Sequence, residues 1–194
     1  MTSEKATYYR LMLLAGLREE FDQNLELTLE TADPIPDPEL DLAFCMSDLD
    51  KTISVLYNYA LRFSVDEAQV CQMVLTELRR LYTEKYLSAV QLVGIMETMA
   101  QNCENSYEEP WDQLRYPAYD YELVEDGLVS QEVFERAFDA YFLHQEQNQK
   151  ILYPLLIPLV SDGHWLFGQW LPLHRCFQQS HAPPKLVQQP PRLR

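Results

Sequence analysis

Glycine is scarce, at 5 of 194 residues, and neither GxGxxG nor GxxxxGK occurs. Loops that cradle phosphate at a helix N-terminus depend on such glycines, so nucleotide chemistry is not expected. Cysteine is sparse as well: Cys45, Cys71, Cys103 and Cys176 stand far apart, with no CxxC. A chain of this size with so few cysteines gives no disulfide framework, and reduced thiols in a cytoplasmic setting are the default. Long hydrophobic runs are also missing. The most apolar stretch, residues 151–177, is broken by Pro154, Pro158, Asp162, Gly163 and His164, short of the ~20 uninterrupted apolar residues of a membrane span. The run from Leu11 to Leu17 leads straight into Arg18, Glu19 and Glu20, with no small-residue cleavage site of the kind a signal peptide carries.

Positive charge is the largest deficit. Fifteen Lys and Arg stand against 30 Asp and Glu, a formal net charge of -15. The imbalance is concentrated: residues 1–50 and residues 101–150 each hold 12 acids and 3 bases. Residues 51–100 are balanced, and residues 151–194 carry a small positive excess. Two acidic surfaces repel the phosphate backbone and anionic lipid, which disfavours direct nucleic-acid or membrane binding and favours a basic protein partner. The same charge also serves solubility.

Catalytic and metal-ligating patterns are thin. His164, His174, Cys176 and His181 lie close in sequence, but their spacing fits no zinc geometry. Cys176 and His174 are two apart and would not face one another on a helix. Carboxylate pairs such as Glu19 with Glu20 arise from composition alone, and no ExxH spacing for a di-iron bundle occurs. No cofactor and no catalytic residue are expected.

What remains is helical periodicity. Residues 4–30 place Tyr9, Leu13, Leu14, Leu17, Phe21, Leu25 and Leu29 at three- and four-residue steps and read as one helix. Residues 25–30 also alternate strictly, as do Tyr119, Tyr121 and Leu123, which leaves room for a minor two-stranded ribbon. Pro34, Pro36 and Pro38 then mark a linker. Helices start at Ser47, at Ser64 with Glu67, at Ser88 with Gln91, and at Ser130, each serine placed to cap. The first buries Leu49, Ile53, Leu56, Tyr57 and Ala60. The second buries Val70, Val74, Leu78, Leu81 and Tyr82. The third, with Leu92, Val93, Ile95, Met96 and Met99, is apolar almost all round and reads as central. The last carries an aromatic stripe of Phe134, Phe138, Tyr141 and Phe142. The irregular spacing of these starts does not support a solenoid. The expected fold is all-α, an irregular bundle of about six helices over residues 1–177, with a disordered, proline-rich, basic tail at 178–194.

Between the third and last of these helices, residues 106–128 crowd aromatic and acidic side chains together. Tyr107, Glu108, Glu109, Trp111, Asp112, Tyr116, Tyr119, Asp120, Tyr121 and Glu122 are the candidate binding residues. Tyr and Trp offer large contact area at low entropic cost, and acids steer a basic partner. The same rings could instead anchor a long connection onto the core, since structureless loops of this length are uncommon in compact domains. In acidity, helicity and size the chain is similar to bacterial immunity proteins, a resemblance that implies a bacterial inhibitor occluding a basic nuclease. The expected function is therefore non-enzymatic capture of a basic protein. The alternative is an adaptor that self-associates through Trp165, Phe167 and Trp170, and an enzyme using carboxylates or His174 ranks third.

Overall fold

A computed structural model of the chain describes residues 1–103 and 106–144. Those residues form eight α-helices and a single 3-10 turn, with no strand among them, so the protein is all-α. The apolar stretch 151–177 with Trp165, Phe167 and Trp170, the residues His164, His174, Cys176 and His181, and the tail at 178–194 lie outside the described residues.

The expected helix over 4–30 is two helices, α1 (Ser3–Leu14) and α2 (Glu19–Thr31). The break is at Gly16, whose φ of 80° lies in the left-handed region. Its amide donates to Leu13 O at 3.0 Å and the Leu17 amide donates to Met12 O at 2.8 Å, a Schellman end that only a residue tolerant of positive φ closes cheaply. The ribbon does not form. Residues 25–30 lie in α2, where Leu25 is buried and Leu27 exposed, as helical rather than alternating spacing requires. Residues 119–123 lie in α7 (Tyr116–Glu125).

The proline segment is only partly a linker. Helix α3 (Asp37–Cys45) begins inside it with Pro38 in its first turn, where the missing amide proton costs nothing because that position has no helical acceptor. Helices α4 (Leu49–Ala60) and α5 (Glu67–Thr83) start slightly later than their serines suggest, because aspartates do the capping. Asp48 accepts from the Lys51 amide at 3.2 Å, and Asp66 accepts from the Gln69 amide at 3.1 Å. Helix α6 (Ala89–Gln101) has the full reciprocal capping box of Ser88 and Gln91. Helix α8 (Gln131–His144) starts with Ser130 accepting from the Val133 amide at 3.4 Å.

A smaller cluster forms around Val129 and Ala137, and the main core cluster draws on α1 to α6, the 3-10 turn and α8. Helix α1 lies deep in it, burying Ala6, Tyr8, Tyr9, Leu11, Met12 and Leu13, and packs on α4, α5 and α6. Helix α6 is flanked by α1, α5, α7 and the 3-10 turn, but it is not apolar all round: Gln91, Gly94, Glu97 and Gln101 leave one face exposed. Helix α4 is less inward than its spacing implies: Leu56 is buried, yet Leu49 and Tyr57 are exposed. Tyr57 instead lies under the Arg10 guanidinium, 5.0 Å from its ring centroid. On α8, Phe134, Phe138 and Phe142 follow one another at four-residue steps, with Phe138 stacked on Phe142 at 5.0 Å and edge-on to Tyr82 at 5.4 Å. Among the described residues no helix is long and apolar enough to cross a membrane.

Phe138 is buried within this aromatic stack, so Phe138→Ala should lower unfolding free energy by about 3–5 kcal/mol in chemical denaturation. Phe44, 82% exposed on α3, should tolerate the same change with a loss within about 0.5 kcal/mol.

Candidate functional site

The segment from Ser106 to Leu128 folds as a 3-10 turn (Trp111–Leu114) running directly into α7. It is tied to the first turns of α5 by a buried tryptophan. The Trp111 ring is 3% exposed, and its Nε1–H donates to a Glu67 carboxylate oxygen at 2.8 Å. One turn further along α5, the Cys71 thiol donates to Pro110 O at 3.4 Å. Glu67 therefore does not complete a capping box with Ser64. Its carboxylate is held by the indole, and Asp66 caps the helix in its place.

The ten candidate residues divide into three groups. Tyr107, Glu108, Glu109 and Glu122 are exposed. Asp112, Tyr116, Tyr119 and Tyr121 are half-buried. Trp111 and Asp120 are buried and cannot meet a partner without unfolding, which corrects their place in a surface site. Trp111 is inside because a large ring yields more free energy by packing than by exposure, provided its N–H finds an acceptor. Tyr121 sits edge-on to Phe134 at 5.2 Å, and the Tyr116 hydroxyl donates to Asp112 Oδ2 at 2.9 Å. These side chains serve the anchoring of the segment.

Asp120 is 5% exposed and its Oδ2 finds no hydrogen-bond partner among the described residues. Burial pushes its carboxyl up to about 6, because desolvation penalises the charged form.

Tyr107 is arranged differently. It is 70% exposed, yet the Arg115 guanidinium lies 4.1 Å from its ring centroid. Arg115 is itself held by the buried Ser106, whose hydroxyl accepts from Nη2 at 3.1 Å. The tyrosine is thus braced on one side by a cation, while most of its surface faces solvent beside Glu108 and Glu109. Brought near Glu122 are three acids absent from the candidate set: Glu97 on α6, and Glu125 and Asp126 at the end of α7. Burial, and then the charges of Glu97, Asp126 and Glu125, raise the Glu122 carboxyl above its ordinary value. None of these four pairs with a base among the described residues. Glu97 was legible as part of the polar stripe of Gln91, Gly94, Glu97 and Gln101 on α6, all exposed; only the juxtaposition with α7 was hidden.

Cys71 and Cys103 are poorly placed to act as nucleophiles. Burial raises the thiols of Cys71 and Cys103 to about 12, and a thiol that stays protonated is a poor nucleophile. No three His, Cys, Asp or Glu among the described residues are grouped to hold a metal ion. The chain matches no family model, no curated protein and no solved structure.

Two outcomes follow from the anchoring. Trp111→Ala should cost about 3–5 kcal/mol in denaturant unfolding, the range for loss of a buried aromatic. Asp120 has a folded pKa above its unfolded one, so its favourable contribution is complete below about pH 4 and is lost as pH rises through about 6. Asp120→Asn should therefore raise the melting temperature at pH 7.5 relative to the parent, and the gain should shrink towards pH 4.5.

Proposed function

We propose that the protein is a non-enzymatic binder of a basic protein in the cytoplasm, acting through Tyr107, Glu108 and Glu109, with the Glu97, Glu122, Glu125 and Asp126 cluster supplying attraction. The observation that carries this reading is the braced, exposed Tyr107. A ring held by Arg115 and Ser106 has already lost rotamer freedom, so a partner that stacks on its open face does not have to order it. Aromatic side chains of this kind dominate interface energetics, while flanking acids speed encounter and discriminate charge.

The acidic cluster supports the same reading from the side of stability. Like charges held close enough to perturb one another destabilise the free fold, and a cationic partner would relieve that repulsion. The candidate surface is accordingly narrower than the sequence suggests: Trp111 holds the segment in place, Asp120 is buried within it, and the segment's exposed edge makes the contact. An inhibitor that covers a basic toxin is one form such a binder would take.

Affinity capture from the native host, with Tyr107→Ala and the double variant Glu108→Lys/Glu109→Lys as comparisons, tests this. Each should weaken capture by about tenfold or more while leaving the melting temperature within a degree or so, the pattern of surface hot spots. Capture by the parent should also decline as salt rises. Undiminished capture by both variants would overturn the proposal.

A further inference from the structure

Helix α4 carries more apolar periodicity than the fold uses. Thr52, Leu56 and Ala60 make its buried edge, and Ile53, Val55 and Tyr59 lie half-buried against the core. The opposite face presents Asp50, Ser54, Tyr57, Asn58 and Leu61, all exposed and spaced as one side of a helix requires. Leu61 is 63% exposed, and Phe63, just beyond the helix, is 62% exposed. Large apolar side chains gathered on one open face mark an interface.

The charges along this face identify what meets it. Asp50 stands in the first turn of α4, and Arg62 follows directly after its C-terminal end. Neither forms an ion pair among the described residues: Lys51 is taken by Asp48 at 2.8 Å, and the Arg62 guanidinium lies 5.6 Å from the Tyr59 ring centroid. Asp37 and Asp41 line a groove together with Arg62, yet neither pairs with it among the described residues. Arg10, over the Tyr57 ring, forms no ion pair among them either. In a chain of net charge -15, this face therefore sets Asp48 and Asp50 against Arg10, Lys51 and Arg62. Two copies can meet here without bringing acid against acid.

We propose that α4 pairs with α4 of a second copy of this chain in an antiparallel, two-fold arrangement. Asp50, Ser54, Asn58 and Arg62 follow one another at four-residue steps, the ridge most often used when helices pack. With an acid at one end and a base at the other, that ridge complements itself only when the two helices run in opposite directions. Asp50 then meets Arg62 of the second copy at both ends, and Ser54 meets Asn58 between them. Tyr57 and Leu61 supply the apolar area beside this row, and opposed helix dipoles favour the same orientation. One helix face lies at the low end of interface areas, which makes the dimer a weak one. The surface shares no residue with the Tyr107 site and stands independently of it.

Sedimentation velocity of the full chain over a concentration series tests this. The parent should dimerise with a Kd of roughly 10–100 μM, and Leu61→Asp should weaken that at least about tenfold. Asp50→Arg and Arg62→Asp should each stay monomeric alone, because every facing pair then carries like charge, while their melting temperatures remain within a few degrees of the parent. Mixed together, these two variants should associate at about the parent's affinity, since each supplies the charge the other has lost. A parent that stays monomeric up to about 1 mM, variants that dimerise as the parent does, or a mixture no tighter than its components would overturn the proposal.

Discussion

The burial of Trp111 is the interaction on which the second half of the structure depends. A single indole, packed into the core and hydrogen-bonded to Glu67, converts a stretch rich in acid and aromatic residues into an ordered 3-10 turn and helix. Helix α7 fully buries only Pro117 and Asp120, and its half-buried Tyr116, Ala118, Tyr121 and Val124 pack against the core beside that anchor. Asp120 opposes folding once ionised. The gain from burying a large ring exceeds such a cost, because an aromatic side chain removes far more apolar surface from water than a single carboxyl loses in hydration partners.

The same segment then serves two ends. Its inner members, Trp111, Leu114 and Tyr121, join the core cluster or pack against it. Its outer members, Tyr107, Glu108 and Glu109, are left on the surface, with Tyr107 braced by Arg115. Rigid presentation and solvent exposure are usually in tension, because what is held is normally covered. A cation on one side of the ring resolves this by holding it while leaving much of it open. Tyr9 Oη and Glu39 Oε2 show the converse arrangement, buried with no hydrogen-bond partner among the described residues.

Much of the fold was legible from local signals. Ser88 with Gln91 is a reciprocal capping box, and Val70, Val74 and Leu78 mark the inward face of α5, because both depend on residues three or four apart. Three features were not legible, each for its own reason. Gly16 divides α1 from α2 through positive φ, yet the apolar periodicity runs on across it. Pro38 reads as part of a linker, although a proline in a first turn is compatible with a helix. Trp111 reads equally well as a hot spot or an anchor, since both roles need a large ring with one polar atom, and only the position of Glu67 on another helix decides between them. The acids of the candidate set are neighbours in sequence, while Glu97 comes to Glu122 through tertiary packing.

Hydrogen exchange at the Trp111 indole Nε1 tests the anchoring most directly, because it reports both burial and the bond to Glu67. If the ring ties the segment to the core as described, this proton exchanges only with global unfolding, at a rate matching the slowest amides of α6, while the Tyr107 amide exchanges quickly. An indole proton that exchanges as fast as the Tyr107 amide under native conditions would contradict the account.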